Sequence, residues 1–221
     1  MKVETKYLKV SKRSRYLTFG TLSKETKYIW IALHGSHMIS EQVIYKFRNF
    51  DPITHFIIAP EGLSRFYAKG FSGEVLATWM TTRDRLHEIE DFSDYLSHLY
   101  TTLSIQRFPN AKKILLGFSQ GGTVAFRWLH ARKVDFDYFI AYSCWIPEDI
   151  NFQTSKTVLG EIKLIYTYGS EDKFLTTDII KKIAGIAKKN KLTMEIEKYE
   201  GTHRIDIEQL TKIFLSFIQA Y

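Results

Sequence analysis

Short, nearly continuous apolar segments recur along the chain and are separated by segments of helical periodicity. Continuous apolar runs of this length are typical of strands that are buried on both faces, as in a parallel sheet. A last, less apolar strand, MEIEKYEG, is predicted from residue 194 onward. The apolar runs are YIWIALHG (28–35), HFIIAP (55–60), KILLGFS (113–119), DYFIAYS (137–143) and KLIYTYGS (163–170).

Helical periodicity occupies much of the chain between these strands. An apolar stripe predicts a helix over 84–103, and the acidic residues in its first turns suit the positive end of the helix dipole. Regularly spaced isoleucines predict a second helix near 175–190, and apolar residues at 210–217 predict a last one. Strands that alternate with helices predict an α/β fold with a doubly wound, mostly parallel central sheet flanked by helices.

Two segments depart from this alternation. Residues 5–10 and 15–22 are separated by the polar sequence SKRS and predict an antiparallel hairpin. Residues 61–82 have no sustained period and predict a long loop at the sheet edge, where ligands bind in such folds. Because large aromatic side chains are costly to leave in water, we expect this loop to bury them. They are Phe66, Tyr67, Phe71 and Trp79.

Length and composition fit one domain that spans residues 1–221. Hydrophobic residues make up 45% of the chain and aromatic residues 15%, as in a folded globular protein. The N-terminal sequence MKVETKYLKVSKRSRYL lacks the apolar core of a signal peptide, and no run approaches a membrane-spanning length. We therefore expect a soluble, cytoplasmic protein without stable membrane insertion, either a monomer or a homodimer.

Charge and cysteine content narrow the possible functions. The net charge is +7, but the lysines are scattered, and the densest group (181–191) lies on a predicted helix with a solvated face. Because no nucleic-acid-binding motif accompanies the charge, we expect no nucleic-acid partner. Cys144 is the single cysteine, which excludes an intrachain disulfide and a cysteine-rich zinc site. We expect Cys144 to be a small buried apolar residue rather than a second nucleophile.

The sequence GFSQG places Ser119 between a predicted strand and a predicted helix. A strand that turns sharply into a helix exposes a serine hydroxyl beside free backbone N–H groups, and Gly117 and Gly121 leave room for that turn. The amide of Gln120 can then donate to an oxyanion that develops during acyl transfer. The pattern predicts that Ser119 is a nucleophile.

A serine nucleophile needs a histidine base and a carboxylate that orients it. Asp172 follows the strand KLIYTYGS and His203 follows the last strand, so the chain order is that of the α/β-hydrolases. Glu171 is an alternative to Asp172, whereas Asp178 falls on a predicted helix. His55 precedes the nucleophile in the chain, and the remaining histidines outside residues 34–37 fall on predicted helices.

The sequence LHGSH follows another buried strand, where this arrangement supplies a second oxyanion donor. The amide of Ser36 is our candidate, and that of His37 is the alternative. His34 is then expected to orient the loop. His34 and His37 make a poor metal pair because no third ligand is nearby, so we expect no metal.

Five motifs extend this pattern over residues 33–203: LHG (33–35), GFSQGG (117–122), SCWIP (143–147), GSEDKF (169–174) and GTH (201–203). Together they resemble the carboxylesterase, lysophospholipase and acyl-protein thioesterase group of serine hydrolases, within the α/β-hydrolase fold. The resemblance implies a catalytic triad and an oxyanion hole, and it places Trp145 and Ile146 beside an acyl pocket. The triad residues are Ser119, Asp172 and His203, and the oxyanion donors are the amides of Ser36 and Gln120.

The resulting hypothesis is a cofactor-independent serine hydrolase that acts on small-molecule carboxylic esters or thioesters. We expect an open site without a large lid domain. Two alternatives stay open, a peptidase or amidase on the same fold and a catalytically silent binding module. The predicted substrate-binding residues are Phe71, Trp79, Met80, Trp145 and Ile146.

Overall fold

The computed structural model describes residues 1–157 and 159–220. Its main feature is a seven-stranded sheet. The strands are β1 (Tyr16–Phe19), β2 (Tyr28–Leu33), β3 (His55–Pro60), β6 (Lys112–Phe118), β7 (Tyr138–Tyr142), β8 (Lys163–Gly169) and β9 (Met194–Tyr199). Their order across the sheet is β1-β3-β2-β6-β7-β8-β9. A separate pair consists of β4 (Ser64–Lys69) and β5 (Ser72–Thr78).

The sheet is parallel except at β1, which pairs antiparallel with β3. The predicted parallel sheet is thereby confirmed, and the predicted apolar strands are observed with ends shifted by at most two residues. In β2, Ile29, Ile31 and Leu33 face one apolar cluster while Trp30 and Ala32 face the other. The continuous apolar sequence is explained by burial on both faces.

Helices cover both faces of the sheet. They are α1 (Ser40–Ile44), α2 (Arg85–Thr102), α3 (Gln120–Ala131), α4 (Thr177–Lys189) and α5 (Ile207–Ile213). Buried residues of α2, α3 and α4 join the cluster on one face, and buried residues of α1 and α5 join the cluster on the other. The predicted helices at 84–103 and 175–190 are confirmed as α2 and α4.

The predicted N-terminal hairpin is wrong. Residues 1–15 contain no strand, and β1 pairs with β3 instead of with residues 5–10. Polar side chains fasten the segment: Tyr7 donates to Asp84 at 2.6 Å, and the Arg15 guanidinium binds the carboxylates of Glu41 and Glu61. The apolar side chains of this segment are exposed, so burial does not drive strand pairing there.

The predicted loop at 61–82 is also corrected, because most of it forms the antiparallel hairpin β4–β5. Gly70 stands in the turn with φ of 70°, a conformation that favours glycine. The expectation of buried aromatic residues holds only for Trp79, which is 2% exposed. Phe66 and Tyr67 are exposed, and Phe71 at the turn is 100% exposed.

None of the helices within residues 1–157 and 159–220 has the length and apolar content needed to cross a lipid bilayer. The apolar residues of the parallel strands pack into the two clusters on the faces of the sheet. The loops at the carboxyl ends of β2, β6, β8 and β9 carry the predicted triad and oxyanion residues.

Candidate active site

Ser119 stands between the end of β6 and the start of α3. Its φ of 52° and ψ of −121° are unusual for a residue with a side chain and cost about 1–3 kcal/mol. The amide of Ser119 donates to the Tyr142 carbonyl at 2.9 Å. The following turn is tight, since a Cβ added at Gly121 would lie 2.4 Å from the Leu33 carbonyl oxygen. The strained turn leaves the Ser119 side chain half-buried at the carboxyl edge of the sheet.

A chain of hydrogen bonds joins Ser119, His203 and Asp172. His203 Nε2 lies 3.0 Å from Ser119 Oγ, and His203 Nδ1 lies 2.7 Å from Asp172 Oδ2. A carboxylate can only accept, so Nδ1 carries the proton and Nε2 is left to accept from the serine hydroxyl. Residues 84 positions apart are thus arranged so that a proton can pass from Ser119 to His203.

Asp172 is the carboxylate that reaches the histidine. Its side chain is fully buried, and its Oδ1 accepts from the Phe174 amide at 2.9 Å. Glu171 is exposed and contributes its backbone amide to the Gly201 carbonyl instead. Asp178 lies on α4, where it pairs with Lys181. The arrangement of the side chains favours Asp172 over both alternatives.

The loop that carries His203 is fixed before the histidine by the bond from the Glu171 amide to the Gly201 carbonyl, at 2.8 Å, and after it by two tyrosine hydroxyls. The Tyr199 hydroxyl donates to the Arg204 carbonyl at 2.9 Å, and the Asp206 amide donates to the Tyr142 hydroxyl at 2.9 Å. Asp206 also caps α5 by accepting from the amides of the first helical turn. These contacts restrict the imidazole to the position between Ser119 and the buried carboxylate.

Two aromatic rings flank the imidazole of His203. The centroid of Phe118 lies 5.0 Å from that of His203, and the centroid of Phe174 lies 4.7 Å away. Sequence reasoning did not single out either residue. A signal was present, because Phe118 directly precedes the serine and Phe174 ends the motif GSEDKF.

The amides of Ser36 and Gln120 have no hydrogen-bond acceptor among the described residues. The amide of His37, the alternative donor, is engaged with the Ala77 carbonyl at 2.9 Å. Two unpaired N–H groups beside a serine hydroxyl can stabilise a negatively charged oxygen. The observed bonding favours Ser36 over His37.

His34 has a structural environment. It is buried, its Nδ1 lies 2.6 Å from the Gly35 carbonyl oxygen, and its Nε2 accepts from the Gly62 amide at 2.9 Å. Burial lowers the pKa of His34, so the ring is neutral in the folded protein near pH 7. Both ring nitrogens are therefore engaged in orienting the loop.

Across residues 1–157 and 159–220, no three metal-ligating side chains converge on a common point.

The predicted substrate-binding residues are dispersed. Trp79 is buried and donates from Nε1 to the His34 carbonyl at 2.9 Å, and Ile146 is buried in the same apolar cluster. Met80 is half-buried against that cluster, whereas Trp145 is 38% exposed beneath the Lys182 ammonium. Phe71 lies apart from these residues, fully exposed at the turn before β5 and about 20 Å along the strand from Thr78.

Cys144 is fully buried, and burial raises the pKa of its thiol. A Cβ added at Gly122 would lie 2.4 Å from Cys144 Sγ, so the sulfur fills space against α3. A protonated thiol without a base is inert at neutral pH. The expected packing role of Cys144 is confirmed.

The Gln120 side chain forms contacts that the sequence did not indicate. Gln120 Oε1 accepts from the Trp79 amide at 3.0 Å, and Gln120 Nε2 donates to the Met80 carbonyl at 2.7 Å. The residue after the serine thus offers its backbone amide to the site and uses its side chain to hold the end of β5. No local pattern indicates a contact between residues about 40 positions apart.

A mostly parallel sheet flanked by helices, with the serine at a strained strand–helix turn, defines the α/β-hydrolase class. Solved structures with this fold include the acyl-protein thioesterase 2 of Zea mays, at 16% identity and a TM-score of 0.68 over 91% of this chain and 96% of that one. The carboxylesterase of Bacillus cereus is similar at 8% identity and a TM-score of 0.65, over 94% and 95% of the two chains.

The model of the phospholipase/carboxylesterase family matches residues 74–221, about two thirds of the chain. The chain belongs to that family, which makes it an esterase-type hydrolase. A structure of YahD with malic acid is also similar, at 16% identity and a TM-score of 0.69 over 95% of this chain and all of that one. No curated protein matches the sequence.

Proposed function

We propose that the protein hydrolyses carboxylic esters or thioesters of small molecules through an acyl-enzyme on Ser119. The observation that carries this proposal is the hydrogen-bonded chain from Ser119 Oγ through His203 to Asp172 Oδ2. Membership of the phospholipase/carboxylesterase family also supports hydrolysis of an ester bond. The proposed reaction requires no cofactor.

In the first step, His203 Nε2 takes the proton of Ser119 Oγ while the oxygen attacks the acyl carbon. The carbonyl oxygen becomes negatively charged and accepts hydrogen bonds from the amides of Ser36 and Gln120. Collapse of this tetrahedral intermediate breaks the bond to the leaving alcohol or thiol, which receives the proton from His203. Asp172 holds the imidazole in the required tautomer throughout.

In the second step, water gives a proton to His203 Nε2 and attacks the acyl-enzyme. The Ser36 and Gln120 amides again stabilise the oxyanion, and the proton returns to Ser119 as the carboxylic acid leaves. One water is consumed and one acid and one alcohol or thiol are released. The rings of Phe118 and Phe174 limit the access of solvent to the imidazole.

The exposed indole of Trp145 and the half-buried side chain of Met80 favour an apolar acyl group. Trp79 and Ile146 are buried, so in this proposal they pack beneath Trp145 and Met80 and do not contact the acyl group themselves. Phe71 has no part in this proposal because of its place at the hairpin turn. We expect acyl groups of modest length to be preferred.

The test is hydrolysis of p-nitrophenyl esters from acetate to palmitate by the wild type, Ser119→Ala and the control Ser216→Ala. Ser216 is exposed on the C-terminal helical segment. We expect turnover by the wild type and the control, and a loss of about 10⁴-fold or more in kcat for Ser119→Ala. Absence of turnover in the wild type, or an unimpaired Ser119→Ala, would contradict the proposal.

A further inference from the structure

The end of β5 lies between the two segments that carry the unpaired amides. On one side, the His37 amide donates to the Ala77 carbonyl at 2.9 Å, and the Ala77 amide donates to the Met38 carbonyl at 3.0 Å. On the other side, the Gln120 side chain holds the Trp79 amide and the Met80 carbonyl. Residues 77–80 are therefore hydrogen-bonded to both segments at once.

Thr78 joins these two sides through its hydroxyl group. Thr78 Oγ1 donates to Gln120 Oε1 at 2.9 Å and lies 3.4 Å from Ser36 Oγ. Ser36 Oγ in turn lies 2.8 Å from His37 Nδ1. The side chains of the two residues whose amides are unpaired are thus bridged by one hydroxyl, although they are far apart in the sequence.

The chemistry of these groups assigns donors and acceptors along the chain. Gln120 Oε1 and the Met80 carbonyl oxygen can only accept, and they lie 2.9 Å and 3.4 Å from Thr78 Oγ1, so the Thr78 proton points to the nearer Gln120 and Thr78 Oγ1 is left to accept from the Ser36 hydroxyl. In the tautomer that carries its proton on Nδ1, His37 donates to Ser36 Oγ. A hydroxyl at position 78 can accept from Ser36 and donate to Gln120 together, which an alkyl side chain of the same size cannot do.

We infer that Thr78 is a positioning residue that sets the spacing of the Ser36 and Gln120 amides. The inference rests on the proposed function, in which both amides stabilise the oxyanion. Donors help the reaction only if they are fixed before charge develops, because a loose donor must reorganise during the reaction. The bridge through Thr78 fixes both donors relative to each other.

The first variant is Thr78→Val, which removes the hydroxyl at nearly constant volume. We expect kcat to fall about tenfold, with KM and the pH profile of kcat/KM unchanged, since His203 and Asp172 are untouched. Thr78→Ser retains the hydroxyl and is expected to restore most of the activity. Thr101→Val, on the exposed side of α2, is the matched control.

A trifluoromethyl ketone gives a readout specific for oxyanion binding. Its hemiketal with the serine places a negatively charged oxygen where the ester oxyanion develops. We expect the inhibition constant to rise by the same factor by which kcat falls in Thr78→Val. A defect in folding would instead change the melting temperature or the fraction of active protein without this parallel.

Ser36→Ala tests the other end of the bridge and keeps the Ser36 amide. Because this residue is on a partly exposed loop, the variant is expected to fold and to show the same loss of kcat. Two results with an active wild type would overturn the role of Thr78 and leave the proposed function standing. One is a kcat of Thr78→Val or Ser36→Ala within twofold of the wild-type value. The other is an inhibition constant of the ketone that is unchanged in these variants. A wild type that neither hydrolyses esters nor binds the ketone would overturn the proposed function as well.

Discussion

The loop that carries His203 and the β4–β5 hairpin approach the same serine but are held in different ways. The His203 loop is fixed before the histidine by the Glu171 amide and after it by the hydroxyls of Tyr199 and Tyr142. The hairpin is hydrogen-bonded to the site at its base, at residues 77–80, while Phe71 at its turn is fully exposed. Side chains that must keep their distances within tenths of an ångström are held along the whole loop, whereas the hairpin needs rigidity only where it contacts the site.

The largest expected effect is a loss of kcat, and it concerns the His203 loop and its buried carboxylate. Asp172→Asn keeps the size of the side chain but stabilises the wrong histidine tautomer, so we expect kcat to fall about 10³–10⁴-fold. The matched control is Glu171→Gln, whose side chain is exposed beside Asp172. Equal losses in the two variants would show that the neighbouring carboxylate also serves His203.

The next effect is on stability, and it compares the base of the β4–β5 hairpin with its turn. Trp79→Ala removes a buried indole and its hydrogen bond to the His34 carbonyl, so the free energy of unfolding is expected to fall by about 3–5 kcal/mol. Phe71→Ala, its control in the same segment, is expected to change it by less than about 0.5 kcal/mol. Denaturant unfolding measures both. A substantial loss in Phe71→Ala would mean that the turn packs against another part of the molecule in solution.

The smallest effect is the pH dependence of stability, and it concerns His55 at the start of β3. His55 lies among aromatic rings, its Nε2 has no partner among the described residues, and burial lowers its pKa from 6.5 to about 4. The unfolded chain binds this proton near pH 6.5 and the folded protein only near pH 4, so stability falls as the pH drops through this range, by about 2–3 kcal/mol.

The measurement is the free energy of unfolding between pH 7 and pH 4 for the wild type and His55→Phe. Phenylalanine fits the surrounding rings and cannot be protonated, so we expect a shallower pH dependence in the variant. Parallel curves for the two proteins would show that His55 does not contribute to acid sensitivity.

Much of the site could be predicted because its signals are local. Ser119, Asp172 and His203 each follow a strand, and strand ends in a parallel sheet meet at one edge. The hairpin was missed because its glycines and mixed polarity resemble a loop, and because exposed aromatic residues contradict the usual preference for burial. The contacts of Thr78 with Ser36 and Gln120 span 42 positions in each direction, and no spacing rule connects such residues.

The strained backbone of Ser119 has an evolutionary consequence. Its left-handed φ is one that glycine adopts without a steric penalty. A lineage selected only for a durable fold would gain stability by replacing this serine with glycine, and would lose the hydroxyl in the same step. Under the proposed function, a serine at this turn therefore sets chemistry and stability in opposition.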